Sequence, residues 1–517
     1  MVASDMSLQH VILSCKANWS HLRSMCILAS RIASSRDVII TILVASLGET
    51  VERVTQEVSR STDVENSRPN SKIRIVGLRV FEGKSETLDN SFRRSWKALT
   101  NQESVQCSYK LSQTAMAPKP SLVILDGFQL SWLEIIRSDP LPPPIIQWMM
   151  AFSAGFIHMC GPSFSGGRSG EPMNLQGHDC NNRIRIPGMP PMTCYELNPQ
   201  FLGEKASKIR SAEAMMTRFA EKSDGLLTTC APEYDSDECL DAISAWIFSN
   251  KSRRTFHIGP MVPLIPGTRE FSAKAIEVEI ETAPNTYGST AVKFLNECLT
   301  SHGKHSVFYI SFGTEHWPSS LEDLDILLHT LSNHQHPFIL AQAYPSANLP
   351  ESMKRKYENS GHGIILPFVP QQAVLAHEAC GWFITHGGAN GVIEALTQGV
   401  PMSVSKSKLS RIGWPFAVDQ PLNIAHMARN LDVGFELTKM RSNYCPVIGL
   451  RPNAELFMGI DEWRIEVEQV ILATQTVIGQ RKRKNAEEIG DKLALAWSES
   501  SGRAREHLSA FLDLFGI

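Results

Sequence analysis

The stretch from Gly381 to Leu396 constrains the fold more than any other part of this chain. An apolar run, Trp382 to Thr385, enters His386 and the glycine pair Gly387-Gly388, and a helix-like segment follows through Asn390, Glu394 and Leu396. Strand, tight glycine turn and helix in that order are the repeating step of a parallel α/β sheet. The first N–H groups of such a helix have no partner inside it, and the helix dipole adds positive potential, so the turn suits an anion such as a diphosphate. His386 and Asn390 can add donors to the same phosphates. Glu394 lies one turn beyond Asn390 on the same helix face and offers a carboxylate suited to two neighbouring ribose hydroxyls. Just upstream, in Leu366-Pro-Phe-Val-Pro-Gln-Gln-Ala-Val-Leu-Ala-His377, Phe368 is placed to stack on a base.

The same rhythm runs through the whole chain. In the first half, strands are expected at His10 to Cys15, Val38 to Val44, Ile73 to Val80, Leu122 to Asp126 and Gly225 to Thr229, with helical patterns between them. In the second half they are expected at Ser306 to Ser311, Phe338 to Ala341, Gly363 to Pro367, Gly381 to Thr385, Val400 to Val404 and Gly434 to Leu437. Helical patterns close the chain from Asp461. His257-Ile-Gly-Pro260, Pro263, Pro266, Gly267 and Pro284 form a breaker-rich seam. We therefore expect a first domain over 1–258, a linker over 259–290, a second domain over 291–480 and terminal helices over 481–517. No internal sequence repeat is evident.

Composition agrees with two globular domains. At 517 residues the chain is too long for one core. A formal net charge of −3 gives no electrostatic case for nucleic acid or an anionic membrane. The eleven cysteines are odd in number and contain no C-x-x-C pair, which points to thiols in a reducing compartment. Residues 1–10 lack an apolar leader, so the cytoplasm is expected. Ile145 to Cys160 is shorter than the roughly 20 residues of a spanning helix and carries Gln147 and His158. It reads as a buried helix, with contact to a greasy acceptor or a bilayer surface left open. Asn18-Trp-Ser20 matches the glycosylation pattern but means little in a cytosolic protein.

In open parallel sheets ligands sit at the carboxyl ends of strands. His21 follows the first strand and opens a helical pattern from Leu22 to Ala33, and Asp126 ends the run Leu122-Val-Ile-Leu-Asp126. If those strands are neighbours the two side chains meet. A neutral His can then act as a general base near pH 7, with the Asp fixing its tautomer and stabilising the imidazolium. Ile310-Ser-Phe-Gly-Thr314 is a second strand exit, where Gly313 permits close backbone approach and the Thr314 hydroxyl suits a phosphate oxygen.

Phe368 to Gln420 resembles the signature box of the family 1 UDP-dependent glycosyltransferases, with looser agreement near His21, Asp126, Ser311 to Thr314 and His257 to Pro260. The resemblance implies an α/β fold of two Rossmann-like parallel-sheet domains facing each other across a cleft, the GT-B type. It implies UDP-sugar contacts at Gly313, Thr314, Phe368, Val369, Gln371, His386, Gly388, Asn390, Gly391, Glu394, Asp419 and Gln420. Stacking on uracil falls to Phe368, the diphosphate to His386 and Asn390, the ribose to Glu394, and the sugar to Asp419 and Gln420. His21 and Asp126 match the catalytic pair. No cofactor is implied beyond the UDP-sugar co-substrate. The expected partners are that donor and a small lipophilic hydroxylated acceptor, with no nucleic acid and no membrane span. Oligomeric state is not readable.

Three departures stand out. Phe368 replaces the Trp usual in plant members, Ala389 replaces a sugar-contacting aromatic, and Ser403 to Gly413 is an insertion before Trp414-Pro-Phe-Ala-Val-Asp-Gln420. The insertion is open to two readings, a surface loop or an error in the gene model. Other patterns are read as structural. Asp235-Ser-Asp237 and Asp323-Leu-Asp325 match helix starts or solvated faces better than a metal site, and His334-x-His336 and His377-Glu-x-Cys380 lack further zinc ligands. Arg481-Lys-Arg-Lys484 reads as a solvated helix face. The expected activity is inverting, metal-independent transfer of a hexose, with glucose as the expected sugar, to an acceptor hydroxyl. A UDP-sugar epimerase on the same fold and a non-catalytic UDP-sugar-binding protein remain alternatives.

Overall fold

The computed structural model describes residues 8–65, 68, 71–79, 87–108, 112–162, 167, 183–199, 205–247, 253–318, 320–402, 414–437 and 460–517. The chain forms two compact units, the first from Met1–Ser163, Ser207–Pro266 and Ala496–Ile517, the second from Phe164–Ala206 and Gly267–Leu495.

The first unit is built on seven parallel strands: β1 Gln9–Ser14, β2 Val38–Ser46, β3 Lys72–Arg79, β4 Leu122–Asp126, β5 Ile145–Met149, β6 Gly225–Thr228 and β7 Thr255–His257. Their order across the sheet is β3-β2-β1-β4-β5-β6-β7. The strands read as continuous apolar runs because both sheet faces are covered. In β1, Val11 and Leu13 join one hydrophobic cluster and Ile12 joins another, the period-two alternation of a strand. All three are fully buried, a contribution of about 1.5–3 kcal/mol each.

Helix α1, Trp19–Ser35, begins at Asn18, whose side chain accepts from the Ser20 N–H. That cap starts the helix two residues before His21, so the Asn18-Trp-Ser20 pattern serves as a helix start. The same helix buries Arg31, which donates to the Pro260 and Val262 carbonyls (2.8 and 3.1 Å) and lies 3.7 Å from the Trp497 ring centre. The helix Arg503–Leu514 packs beside β7, with Phe511 edge-on to Phe256.

The run Ile145 to Cys160 departs from the single buried helix expected. Its first part is β5, in the middle of the sheet, and helix α2, Ser153–Cys160, follows a short turn. Both are buried, and a continuous apolar run does not by itself distinguish strand from helix. The α2 start is capped from a distance, since Ser153 N–H donates to Asp235 Oδ1 at 3.0 Å. Asp235 is therefore buried rather than solvated, and burial pushes its carboxyl up to about 7. The three-residue edge strand β7 lies inside the seam.

The second unit has four parallel strands, β8 Val307–Ser311, β9 Phe338–Ala341, β10 Gly363–Leu366 and β11 Cys380–Thr385, in the order β10-β9-β8-β11. Segment 259–290 is not a continuous linker, because helix Ala273–Glu281 lies within it and Tyr287–His302 begins there. Expected strands at Val400 to Val404 and Gly434 to Leu437 are not formed among the described residues. Among the described residues, backbone bonds run from Val400 N to the Ala395 carbonyl (3.0 Å), from Phe383 N to the Pro401 carbonyl (3.3 Å) and from Met402 N to the Val433 carbonyl (3.1 Å). The basic run at 481–484 is also more than a solvated face. Lys482 is fully buried and reaches Asp432 at 2.6 Å, while Arg483 donates to the Gly381 carbonyl. Among the described residues no helix is long and apolar enough to cross a membrane.

Candidate functional site

In the first unit, β1 and β4 are hydrogen-bonded neighbours, with Ser14 opposite Leu125. Their carboxyl ends bring His21 and Asp126 together, and His21 Nδ1 lies 2.5 Å from Asp126 Oδ2. The Asp126 side chain is 4% exposed and that of His21 19%. The carboxylate is held in turn by backbone donors, with the Lys16 N–H on Oδ2 (3.4 Å) and the Phe128 N–H on Oδ1 (3.3 Å). Gln129 completes the brace. Its Oε1 accepts from the Asp126 N–H (3.3 Å) and its Nε2 donates to Ser14 Oγ (2.9 Å), tying the ends of β4 and β1. With Nδ1 bound to a carboxylate, the ring proton sits there and Nε2 is the basic nitrogen. Phe128 stands edge-on to the His21 ring at 5.7 Å.

In the second unit the candidate donor residues cluster at the carboxyl ends of β8, β10 and β11. Helix α3, Gln371–Ala376, follows β10, and helix α4, Ala389–Thr397, follows β11. The turn into α4 is shaped around one imidazole. Gly313 takes φ +71°, and a Cβ there would stand 2.9 Å from the His386 ring. A Cβ on Gly388 would stand 2.6 Å from His386 Nε2. Glycines on both sides therefore let the ring into the turn. Burial pushes the His386 pKa down to about 4, against an opposing hydrogen bond to the Ser311 backbone. The ring is neutral near pH 7 and can donate without carrying charge. The first N–H groups of α4 begin at Gly388, which contributes no side-chain cap.

Glu394, 5% exposed, accepts from Gln371 Nε2 (2.5 Å) and Gln372 Nε2 (2.7 Å). The Tyr309 hydroxyl donates to Gln371 Oε1 at 3.1 Å, and Tyr309 stacks on Phe383. The carboxylate is thus placed by α3 and β8 together. Phe368, half-buried, sits on the turn between β10 and α3, with Val369 buried beside it. Gly391 lies inside α4, where an added Cβ would make ordinary contact with Phe383. Asn390 is half-buried at the start of α4, and Thr314 is exposed on the β8 exit loop.

Helix α5, Gln420–Ala425, carries the last group. Asn423 Nδ2 donates to Asp419 Oδ2 and to the Gly387 carbonyl, both at 2.8 Å, and so couples Asp419 to the glycine turn. Val418, just before Asp419, takes φ +65°, a strained value for a β-branched residue, and such strain concentrates at functional sites. The insertion Ser403 to Gly413 lies outside the described residues. Gln129, Asn423 and His316, which faces Gln420, were not singled out from the sequence. Nothing in their local pattern marks them, since each acts through a contact distant in sequence.

Of the other candidates, Asp325 pairs with Lys356 (3.0 Å) and Asp323 lies in the first turn of helix Leu321–Asn333. His334 and His336 stack on one another. Among the described residues no group of three or more His, Cys, Asp or Glu is placed to hold a metal ion.

A glycine turn that admits a neutral imidazole, an uncapped helix start and a braced carboxylate together define a strand-edge site of the kind that holds a nucleotide diphosphate. The family described as UDP-glucoronosyl and UDP-glucosyl transferase matches residues 235–443. The UDP-glycosyltransferase eriJ of Hericium erinaceus is 24% identical over 539 residues, 98% of each chain. Baicalein 7-O-glucuronosyltransferase of Scutellaria baicalensis is 27% identical over 286 residues, 52% of this chain and 56% of its own length. The fold matches a transferase from Siraitia grosvenorii solved in complex with UDP, with TM-score 0.69 and 16% identity over 98% of this chain and 100% of that one. The chain is similar to the UDP-glycosyltransferases of family 1 over residues 235–443 and, at 24% identity, to one UDP-glycosyltransferase over 98% of its length.

Proposed function

We propose that this protein transfers a hexose, glucose in the first instance, from a UDP-sugar to a hydroxyl of a small lipophilic acceptor, with inversion and with no metal or other cofactor. The observation that carries the catalytic part is the 2.5 Å contact between His21 Nδ1 and Asp126 Oδ2. In this reading His21 Nε2 takes the acceptor hydroxyl proton as that oxygen bonds to the anomeric carbon. The bond from that carbon to the UDP oxygen breaks on the opposite face, and UDP leaves with the electron pair. Asp126 keeps the basic nitrogen directed to the acceptor and stabilises the imidazolium, which returns its proton to solvent.

The second unit supports the donor part of the reading. Phe368 takes the uracil face, Val369 and Gln371 flank it, and Glu394 takes the ribose hydroxyls. His386, Asn390 and Thr314, with Gly313 on the β8 exit loop, Gly388 at the start of α4 and Gly391 inside it, take the diphosphate, and Asp419 and Gln420 the sugar. The α4 start and the neutral His386 supply donors to the leaving diphosphate, which is the stabilisation a divalent cation gives elsewhere.

The test is incubation of the purified chain with UDP-glucose and a panel of phenols, terpenoid alcohols and sterols, in buffer and in EDTA. UDP and a glycoside of inverted anomeric configuration are expected in both. Loss of activity in EDTA with recovery on adding Mn²⁺ or Mg²⁺ would overturn the metal-free reading. An epimerised nucleotide sugar without glycoside would overturn the transferase chemistry assigned to His21.

A further inference from the structure

We infer that His316 is the positioning residue that fixes the amide of Gln420, and that it thereby sets how tightly the site holds the sugar of its donor. This inference rests on the proposed role of Gln420 as a sugar contact. The loop leaving β8 turns back at Gly313 and carries His316 to the Phe416 ring, with ring centres 5.3 Å apart and planes 23° apart. Phe416 is held in turn by Phe312, edge-on at 6.0 Å. The imidazole plane is thus set by two aromatic layers.

The amide of Gln420 is set just as firmly. Its Oε1 accepts from the Phe416 N–H (2.9 Å) and the Ala417 N–H (3.3 Å). Backbone N–H groups can only donate, so the oxygen end is identified and a flip would break both bonds. Nε2 is then the end that faces His316 Nδ1, at 3.4 Å. An amide nitrogen can only donate, so Nδ1 is the unprotonated acceptor and the proton of the neutral ring is on Nε2. Burial, with His386 and Lys205 adding repulsion, pushes the ring pKa down to about 3, which keeps that tautomeric logic intact at neutral pH. One Gln420 N–H is spent on His316, and the other is left to a ligand. Gln420 therefore meets a sugar hydroxyl as a donor only, in a direction that His316 fixes.

The experiment compares UDP with UDP-glucose, so that only contacts to the glucosyl group register. Dissociation constants for both are measured by titration calorimetry on the wild type, His316→Phe and His316→Asn. Phe keeps the stack on Phe416 and loses the acceptor nitrogen, whereas Asn can place an oxygen near the Nδ1 position. We expect His316→Phe to weaken UDP-glucose about fivefold or more relative to UDP, with UDP itself within twofold of the wild type, and His316→Asn to recover much of the difference. Equal weakening of both ligands, or no change in their ratio, overturns the inference. Transfer is measured separately. A wild type that prefers UDP-glucose over UDP and makes no glycoside defeats the transferase reading while leaving the role of His316 standing.

Discussion

His21 and His386 are the same residue near the carboxyl ends of parallel strands, His21 in the first turn of α1 and His386 in the turn that leaves β11, and their surroundings make them chemically different. His21 has a carboxylate at 2.5 Å and a partly exposed ring. His386 sits in a glycine turn, near the Gly313 and Gly388 backbone, and burial holds its pKa near 4. The first arrangement fixes which ring nitrogen is left for a ligand, because the carboxylate holds Nδ1. The second opposes a charge, which keeps the ring a neutral donor and leaves the phosphate side to dipoles. Under the proposed function one residue type is assigned the base in one unit and a hydrogen-bond donor in the other, and the neighbours set the difference.

The sharpest way to break this comparison is His21→Ala. Glycoside formation should fall by about 10² to 10⁴ fold, while UDP affinity, measured by calorimetry, stays within twofold. Near-normal turnover would remove His21 from the chemistry. Asp126→Ala should lower turnover less, since the imidazole remains and loses only its orienting partner. A loss larger than that of His21→Ala would give the carboxylate the leading role. In the second unit, Glu394→Ala should weaken UDP by about 1.5–3 kcal/mol per charged hydrogen bond lost, or roughly 10- to 150-fold for one bond. Phe368→Ala should cost about 1–3 kcal/mol of stacking. Unchanged UDP affinity in both variants would move the nucleotide elsewhere.

The smallest effect is on stability. His386 has a folded pKa of about 4 against an ordinary value of 6.5, so between these pH values the unfolded chain binds the proton that the folded chain refuses. Stability from this group is therefore complete above pH 6.5 and declines as pH falls towards 4. His386→Gln should flatten part of that decline in a series of thermal melts across this range. An identical pH slope in both proteins would count against the neutral ring.

Much of this was legible in the sequence, and the gaps have physical causes. Strands such as Leu122 to Asp126 and Phe338 to Ala341 are short apolar runs bounded by breakers, and the structure places them where the pattern did. Ile145 to Cys160 reads as one helix because strand and helix are both buried there and no polar period separates them. Val400 to Val404 and Gly434 to Leu437 have strand-like composition, yet among the described residues neither forms a strand, and composition says nothing about pairing. The meeting of His21 and Asp126 was conditional on strand order, which the structure supplies. Asp235-Ser-Asp237 reads as a helix start or a solvated face, and a helix does begin at Asp237, but the burial of Asp235 is not legible because its partner, the Ser153 N–H, lies 82 residues away. His316, Gln129 and Asn423 were missed for the same reason, since each owes its place to tertiary contact.

The segment Ala496–Ile517 belongs to the first unit, where Trp497 lies against Arg31 and Phe511 against Phe256. This carries a consequence for biosynthesis. A nascent chain that has emerged as far as Pro266 holds every strand of the first sheet but lacks the helix that covers β7. Residues 267–495 take roughly 10–50 s to translate at common rates of about 5–20 residues per second. Throughout that interval the edge strand carrying Phe256 lacks its covering helix, so the unit that begins first is completed last.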